Sequence, residues 1–219
     1  MDSPTPKDHM TTLLDHGLYN SAQLLGHFLI SSSSLNSDTN SNAKAENLLL
    51  LADTLFRERE YRRAINTYKQ ALQHHKINPK QNSSSLRSSL SAPNRSSSPS
   101  LLNISTFNEN EVKYKIASCH AALNENKVAL LEMEGIPSKT RNLPMHLMMG
   151  KLYRITRHTR ASIACFKECL RHCPYVLEAV IALAELGASA KEIISVLPQT
   201  PSRSGRPLSD HHESGRWLQ

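Results

Sequence analysis

The sequence predicts an all-α fold, a solenoid of stacked helical hairpins, and three observations carry that prediction. Apolar residues recur at helical spacing in paired segments, most clearly through Leu48, Leu51, Ala52, Leu55, Tyr61, Ala64, Tyr68 and Ala71. Only 7 glycines occur in 219 residues, which suits helices joined by short turns better than a barrel with many tight ones. Strand-type alternation is nowhere sustained. A hairpin of this kind cannot bury its apolar face alone, so the units must stack. What they then offer is a surface for other proteins rather than one chemical centre.

Residues 1–30 read as an N-terminal helical pair. Met10, Leu13, Leu14 and Leu18 form a stripe that ends at Gly17 as a C-cap, and Asn20 with Gln23 resembles a capping box opening a second helix. That helix carries Leu24, Leu25, Phe28 and Leu29, so the pair has more apolar surface than it can bury on itself. It must pack under the first repeat or against a second copy. An isologous dimer would use Leu13, Leu14, Leu24, Leu25 and Phe28.

Residues 31–43 form a Ser/Asn/Asp linker, and 44–76 the first repeat, with its bend at Arg57 to Tyr61. Composition shifts sharply over 77–108, where half of the residues from Gln81 to Ser100 are serine and prolines fall at 79, 93 and 99. A disordered insertion is expected, because such a segment buries too little apolar surface to offset its ordering entropy. Within it Ser98, followed by Pro99, is a candidate phosphosite for a proline-directed kinase.

Residues 109–140 read as a divergent second repeat. Val112, Ile116, Ala117, His120 and Ala121 lie on its first helix; Val128, Ala129 and Met133 lie on a short second one stopped by Gly135 and Pro137. The third repeat, 141–174, places Met149, Gly150 and Tyr153 on one helix and Ser162, Phe166 and Cys169 on the next, with Pro174 just beyond. Gly150 and Ala52 are expected where the helices of their own hairpins approach most closely. Leucine at 150 should then unfold the unit, whereas alanine should be tolerated. Residues 175–198 are a partial fourth repeat with Val180, Leu183 and Ala184 and a weak second helix near Ala190 to Leu197; 199–219 read as a disordered tail or the start of further repeats.

The net charge of +7 raises nucleic acid as a partner. The basic residues are scattered, however, with Arg57, Arg59, Arg62, Arg63 and Lys69 on one hairpin and Arg154, Arg157, Arg160, Lys167 and Arg171 on another. No stacking aromatics interleave with them, so neither nucleic acid nor membrane is an expected partner. No secretory signal opens the chain and no apolar run reaches bilayer length, which implies an intracellular protein. Sequons at Asn82, Asn94 and Asn103 therefore carry no weight.

Among the four cysteines, Cys165, Cys169 and Cys173 fall at i, i+4 and i+8 beside His172, yet no second element supplies the matching pair a zinc site needs. Cys169 instead suits a small core position. Phosphate-binding glycine loops, nucleophile elbows and metalloprotease signatures are all absent, and His74-His75 and His211-His212 read as solvated. Neither catalysis nor a cofactor is expected.

The third block resembles the tetratricopeptide repeat, a helix-turn-helix unit, through Met149, Gly150, Tyr153, Ser162, Phe166, Cys169 and Pro174. The first block matches through Leu51, Ala52, Leu55, Ala64, Tyr68 and Ala71, and the second through Ile116, Ala117 and Ala129. The order of further phrases is more specific. Ala52-Asp53-Thr54-Leu55-Phe56, Glu60-Tyr61-Arg62, Val112-Lys113-Tyr114-Lys115, Gly135-Ile136-Pro137-Ser138 and Leu170-Arg171-His172-Cys173-Pro174 resemble the seventh-subunit family of the anaphase-promoting complex, over about Met10 to Pro198.

That resemblance implies a non-catalytic scaffold of a cell-cycle ubiquitin ligase. It further implies a homodimer stacked on the other tetratricopeptide subunits, in nucleus and cytoplasm. Members of that family run well past this length, so the chain is expected to be a fragment or truncated product. Its apolar end face should lie exposed near Leu183 to Leu197. The alternative reading is a general adaptor whose groove clasps peptide tails, chaperones among them, with a Lys/Asn/Arg clamp.

Overall fold

The computed structural model describes residues 5–35, 41–77 and 107–197, and within them every regular element is helical. Ten α-helices pair into five hairpins: α1 Pro6–Asp15 with α2 Tyr19–Leu35, α3 Ser41–Arg57 with α4 Tyr61–Ile77, α5 Glu109–Ala122 with α6 Asn126–Glu134, α7 Leu143–Ile155 with α8 Thr159–His172, and α9 Leu177–Glu185 with α10 Ala190–Val196. The N-terminal pair is thus a hairpin like the others. The segment before α7 adds one 3₁₀ turn, Ser138–Thr140.

One backbone device turns the chain in all five hairpins. A residue with positive φ follows the first helix each time: Gly17 at 71°, Arg59 at 68°, Asn124 at 61°, Arg157 at 63° and Gly187 at 84°. The next amide in each case donates to a carbonyl five residues back, Leu18 to Leu13, Glu60 to Leu55, Glu125 to His120, His158 to Tyr153 and Ala188 to Leu183. These are Schellman closures, which satisfy carbonyls that a helix end leaves without partners. Glycine and asparagine adopt this conformation readily. Arginine does not, so neither Arg59 nor Arg157 signals the turn in the sequence.

Helix starts follow their caps. Thr5 and Asp8 form a capping box ahead of α1, with the Thr5 amide donating to Asp8 Oδ2 at 2.8 Å, and Ser189 with Glu192 forms another at α10. Asn108 caps α5 by accepting from the amides of Asn110 and Glu111, and Asn142 accepts from Met145 at the start of α7. A cap of this type contributes about 1 kcal/mol.

Several sequence expectations need correction. α2 begins at Tyr19, so Asn20 and Gln23 lie inside the helix and make no capping box; the Gly17 turn sets that boundary. The serines assigned to the linker continue α2 through Leu35, with the Ser31, Ser32 and Ser33 hydroxyls donating back to the carbonyls of His27, Leu29 and Ile30. The insertion is also narrower than 77–108. α4 runs through Ile77, Asn108 caps α5, and the Phe107 ring stacks at 4.1 Å on His75, which is half-buried rather than solvated. Ser98, the stretch 78–106 and residues from 198 onward, His211-His212 included, lie outside the described residues.

The core is a row of clusters, each astride a junction between neighbouring units. Met10, Leu14 and Ala22 pack with Leu50 of α3; Leu51, Leu55 and Tyr68 pack with Val112 and Ile116 of α5; Ala117 and Met133 pack with Met145 and Met149 of α7; Phe166 and Leu170 pack with Ala179 and Leu183 of α9. Of the repeat positions read from the sequence, Leu51, Ala52, Leu55, Ala64, Tyr68, Ala71, Ile116, Ala117, Ala129, Met149, Gly150, Ser162, Phe166 and Cys169 are buried. Tyr153 and Pro174 are half-buried.

Small residues set the helix spacing. A Cβ built on Gly150 would stand 2.7 Å from Cε1 of the fully buried Phe166, and Ser162 Oγ donates to the Gly150 carbonyl at 2.8 Å. This overturns the expectation that alanine is tolerated there. A methyl group at 150 overlaps the buried Phe166 ring, so the ring or its helix must shift, and the overpacking penalty exceeds the gain in helix propensity.

Two stability measurements test these points. Gly150→Ala should destabilise the chain by about 1–3 kcal/mol, and Phe166→Leu in the same chain should recover part of that loss; equal denaturation midpoints for Gly150→Ala and the parent would show that the ring gives way. Arg157 makes no side-chain bond among the described residues. Arg157→Gly should therefore stabilise by roughly 0.5–1 kcal/mol by removing left-handed strain, and a lower midpoint would contradict it.

Candidate protein-interaction surface

The five residues read from the sequence as a dimer stripe fall on two sides of the N-terminal hairpin. Leu14 is buried, and Leu13 and Leu25 are half-buried, in the cluster with Met10 and Ala22, so these three face inward. Leu24 and Phe28, four residues apart on one face of α2, are 73% and 67% exposed. Leu18, at the hairpin turn, is 52% exposed. The pair therefore packs under the first repeat with part of its apolar surface and presents the rest outward.

The inward side of α2 is pinned closely. A Cβ on Gly26 would lie 3.0 Å from Met10 Cε and 3.2 Å from Leu51 Cδ1, so α2 can approach both α1 and α3 only because that residue is glycine. Asn47 Nδ2 donates to the Leu29 carbonyl at 3.1 Å, and Arg57 pairs with Asp15 at 3.0 Å. Sequence reading passed over Gly26. Its signal is a glycine in the middle of an apolar helix, where propensity alone disfavours it.

A second face is formed by the first helix of each hairpin. Lys115 Nζ of α5 lies 2.8 and 2.9 Å from the two Asp53 oxygens of α3, and the buried Tyr68 hydroxyl of α4 donates to Asp53 Oδ1 at 2.5 Å. Burial, reinforced by the Asp53 charge, drives the Tyr68 phenol far above its ordinary pKa and keeps it a donor. Further along, Lys151 pairs with Glu178 and Arg154 with Glu185, each at 2.6 Å, across an open groove of about 280 Å³ floored by Phe166 and Ala182. The cations here are already matched by acids.

The middle hairpin, where histidine stands for the usual aromatic, is closed differently. His120 is buried with Nδ1 2.6 Å from Glu125 Oε2, and Glu125 also meets Arg62 of α4 at 3.2 Å. The His120 hydrogen bond, ahead of the Arg62 charge, holds the Glu125 carboxyl below its ordinary pKa. A polar bond spanning the turn thus replaces ring packing.

Cys119 and Cys169 are buried, and burial pushes both thiols up to about 12, which leaves them protonated and inert at neutral pH. Cys165 and Cys173 are half-buried, and the described residues hold no group of three metal-ligating side chains in suitable geometry. No described helix is long and apolar enough to cross a membrane. At the far end Leu183 and Ile193 are buried. The apolar surface there comes from Tyr175, Leu177, Ile181 and Ile194, which are 85%, 68%, 59% and 63% exposed.

Comparison with known proteins agrees with this architecture. No protein-family model matches the chain. Anaphase-promoting complex subunit 7 of Arabidopsis thaliana is 56% identical over 214 residues, 98% of this chain and 38% of that protein. The human subunit 7 is 34% identical over 86% of this chain and 33% of that protein, so the chain spans about a third to two fifths of the length of these curated relatives.

Among solved structures, the thermophilic TPR protein TTC0263 of Thermus thermophilus aligns over 84% of this chain and 80% of its own, with a TM-score of 0.51 at 13% identity. MamA 41-end from Desulfovibrio magneticus RS-1 aligns over 87% and 86%, with a TM-score of 0.57 at 11% identity. At such identities these two speak for the fold alone. The chain has the tetratricopeptide-repeat fold, and over most of its length it resembles subunit seven of the anaphase-promoting complex.

Proposed function

We propose that this chain is a non-catalytic scaffold element of the anaphase-promoting complex, supporting protein ubiquitination at the metaphase/anaphase transition in nucleus and cytoplasm. The observation that carries this reading is the 56% identity to a subunit 7 over 98% of the chain. In it, the outward face of α2 pairs with a second copy and the stacked hairpins lean on other tetratricopeptide subunits. The exposed Leu24 and Phe28 support the pairing, since adjacent large apolar side chains on one helix face gain most when covered. A peptide-clasping adaptor is less well supported, because Lys151 and Arg154 are neutralised by Glu178 and Glu185.

Two experiments test the reading. Affinity purification of the tagged chain with mass spectrometry should recover the other ligase subunits; recovery of chaperones in their place would favour the adaptor. In ultracentrifugation at micromolar concentration the chain should be a dimer, and Leu24→Glu with Phe28→Glu should make it a monomer of unchanged helicity, since both sites are exposed. A parent chain already monomeric there sinks the dimer.

A further inference from the structure

Between the 3₁₀ turn, the start of α7 and the outer side of α8 lies an open cavity of about 520 Å³, lined by Ser138, Lys139, Arg141, His146, Glu168 and His172 among others. Its charges are unbalanced in one direction. Arg141 is held in place by its own backbone contacts, Nε donating to the Ile136 carbonyl at 2.9 Å and Nη2 to the Glu134 carbonyl at 3.4 Å. Carbonyl oxygens orient the guanidinium without cancelling its charge. No carboxylate of the described residues lies within ion-pair distance of Arg141 or Lys139. Glu168 is the one acid of the lining, and it is already tied to Arg171.

Two imidazoles also line the cavity. His146 is 9% exposed, its ring stacks with His172 at 5.6 Å, and its Nδ1 is buried with no hydrogen-bond partner. A buried polar atom without a partner is costly, and native structures keep few of them. Burial, then the His172 charge, lowers its pKa, with Glu168 opposing and Arg141 adding to the effect.

We infer that this cavity binds a phosphate monoester carried on a partner polypeptide, with Lys139 and the oriented Arg141 pairing its oxygens and His172 and the Ser138 hydroxyl at its edge. A preset guanidinium suits the planar, two-point recognition of a phosphate group, and a dianion matches two uncompensated cations better than a single carboxylate does. The space exceeds one phosphate group and leaves room for the flanking chain. The cavity lies on the third hairpin, away from α2, and the inference holds whichever assembly the chain joins.

Histidine-ring NMR of the full 219-residue chain tests it. The probes are inorganic phosphate, a short Gly/Ser peptide with one phosphoserine, its unphosphorylated and glutamate forms, and vesicles containing phosphatidylserine. Inorganic phosphate and the phosphopeptide should shift the His146 and His172 signals and leave His74 and His75 in place, whereas the unphosphorylated peptide should not. Lys139→Gln, exposed and without structural bonds, and His172→Asn, which removes the exposed ring stacked on His146, should each weaken phosphopeptide binding, Lys139→Gln by about tenfold. Several outcomes overturn the inference: unmoved His146 and His172 signals at millimolar phosphopeptide, unchanged affinity in Lys139→Gln, equal binding of the glutamate peptide, or a response to vesicles alone.

Discussion

The five Schellman turns are the constraint on which the remaining structure depends. Each reverses the chain with the same local geometry, because one left-handed residue and two defined hydrogen bonds leave the backbone little freedom there. Hairpins closed in the same way can then stack one on the next. At Arg59 and Arg157 a bulky side chain holds the left-handed conformation, an intrinsic strain of about 1–2 kcal/mol that persists because the helices on both sides are locked by packing.

Stacking converts what each hairpin lacks into cohesion. No cluster of the core belongs to one hairpin alone; each reaches into a neighbouring unit or its connecting segment, so the array behaves as a chain of nearest-neighbour interfaces. Close approach is permitted by Gly26 and Gly150, where an added methyl group would meet neighbouring side chains at 3.0 and 2.7 Å. The Asp53, Tyr68 and Lys115 triad acts at the junction of the first two repeats, which the segment 78–106 separates in sequence. A charge-assisted bond there fixes the register of α5 on α3 independently of the chain that joins α4 to α5.

Surface chemistry follows from this arrangement. Along the first helices, acids and bases of successive repeats pair and leave little net charge, so that face has limited appetite for a small charged ligand. Apolar side chains are instead left outward on α2 and around α9 and α10, at the two ends of the row, with Leu131 and Ile155 exposed between them. Such ends suit extended protein contacts. The cavity beside Arg141 is the exception, since its cations are oriented by backbone carbonyls and unmatched by acids.

The all-α class, the hairpin periodicity and most buried repeat positions were legible from the sequence alone, because small and large residues at three- and four-residue steps are a property of one helix face. The family resemblance was legible too, since its phrases are local. Tertiary structure decided the rest. Whether Leu14 or Leu24 of the same helical pair faces solvent depends on which side α3 occupies, and that partner is remote in the chain. Alanine at Gly150 reads as harmless by helix propensity and becomes costly only once Phe166, from the following helix, sits 2.7 Å from the missing Cβ. The left-handed arginines were likewise invisible, because nothing in an arginine announces positive φ. The unpartnered His146 and the oriented Arg141 could not be seen either: charge balance at a site depends on which side chains converge there, and convergence is set by packing, not by sequence spacing.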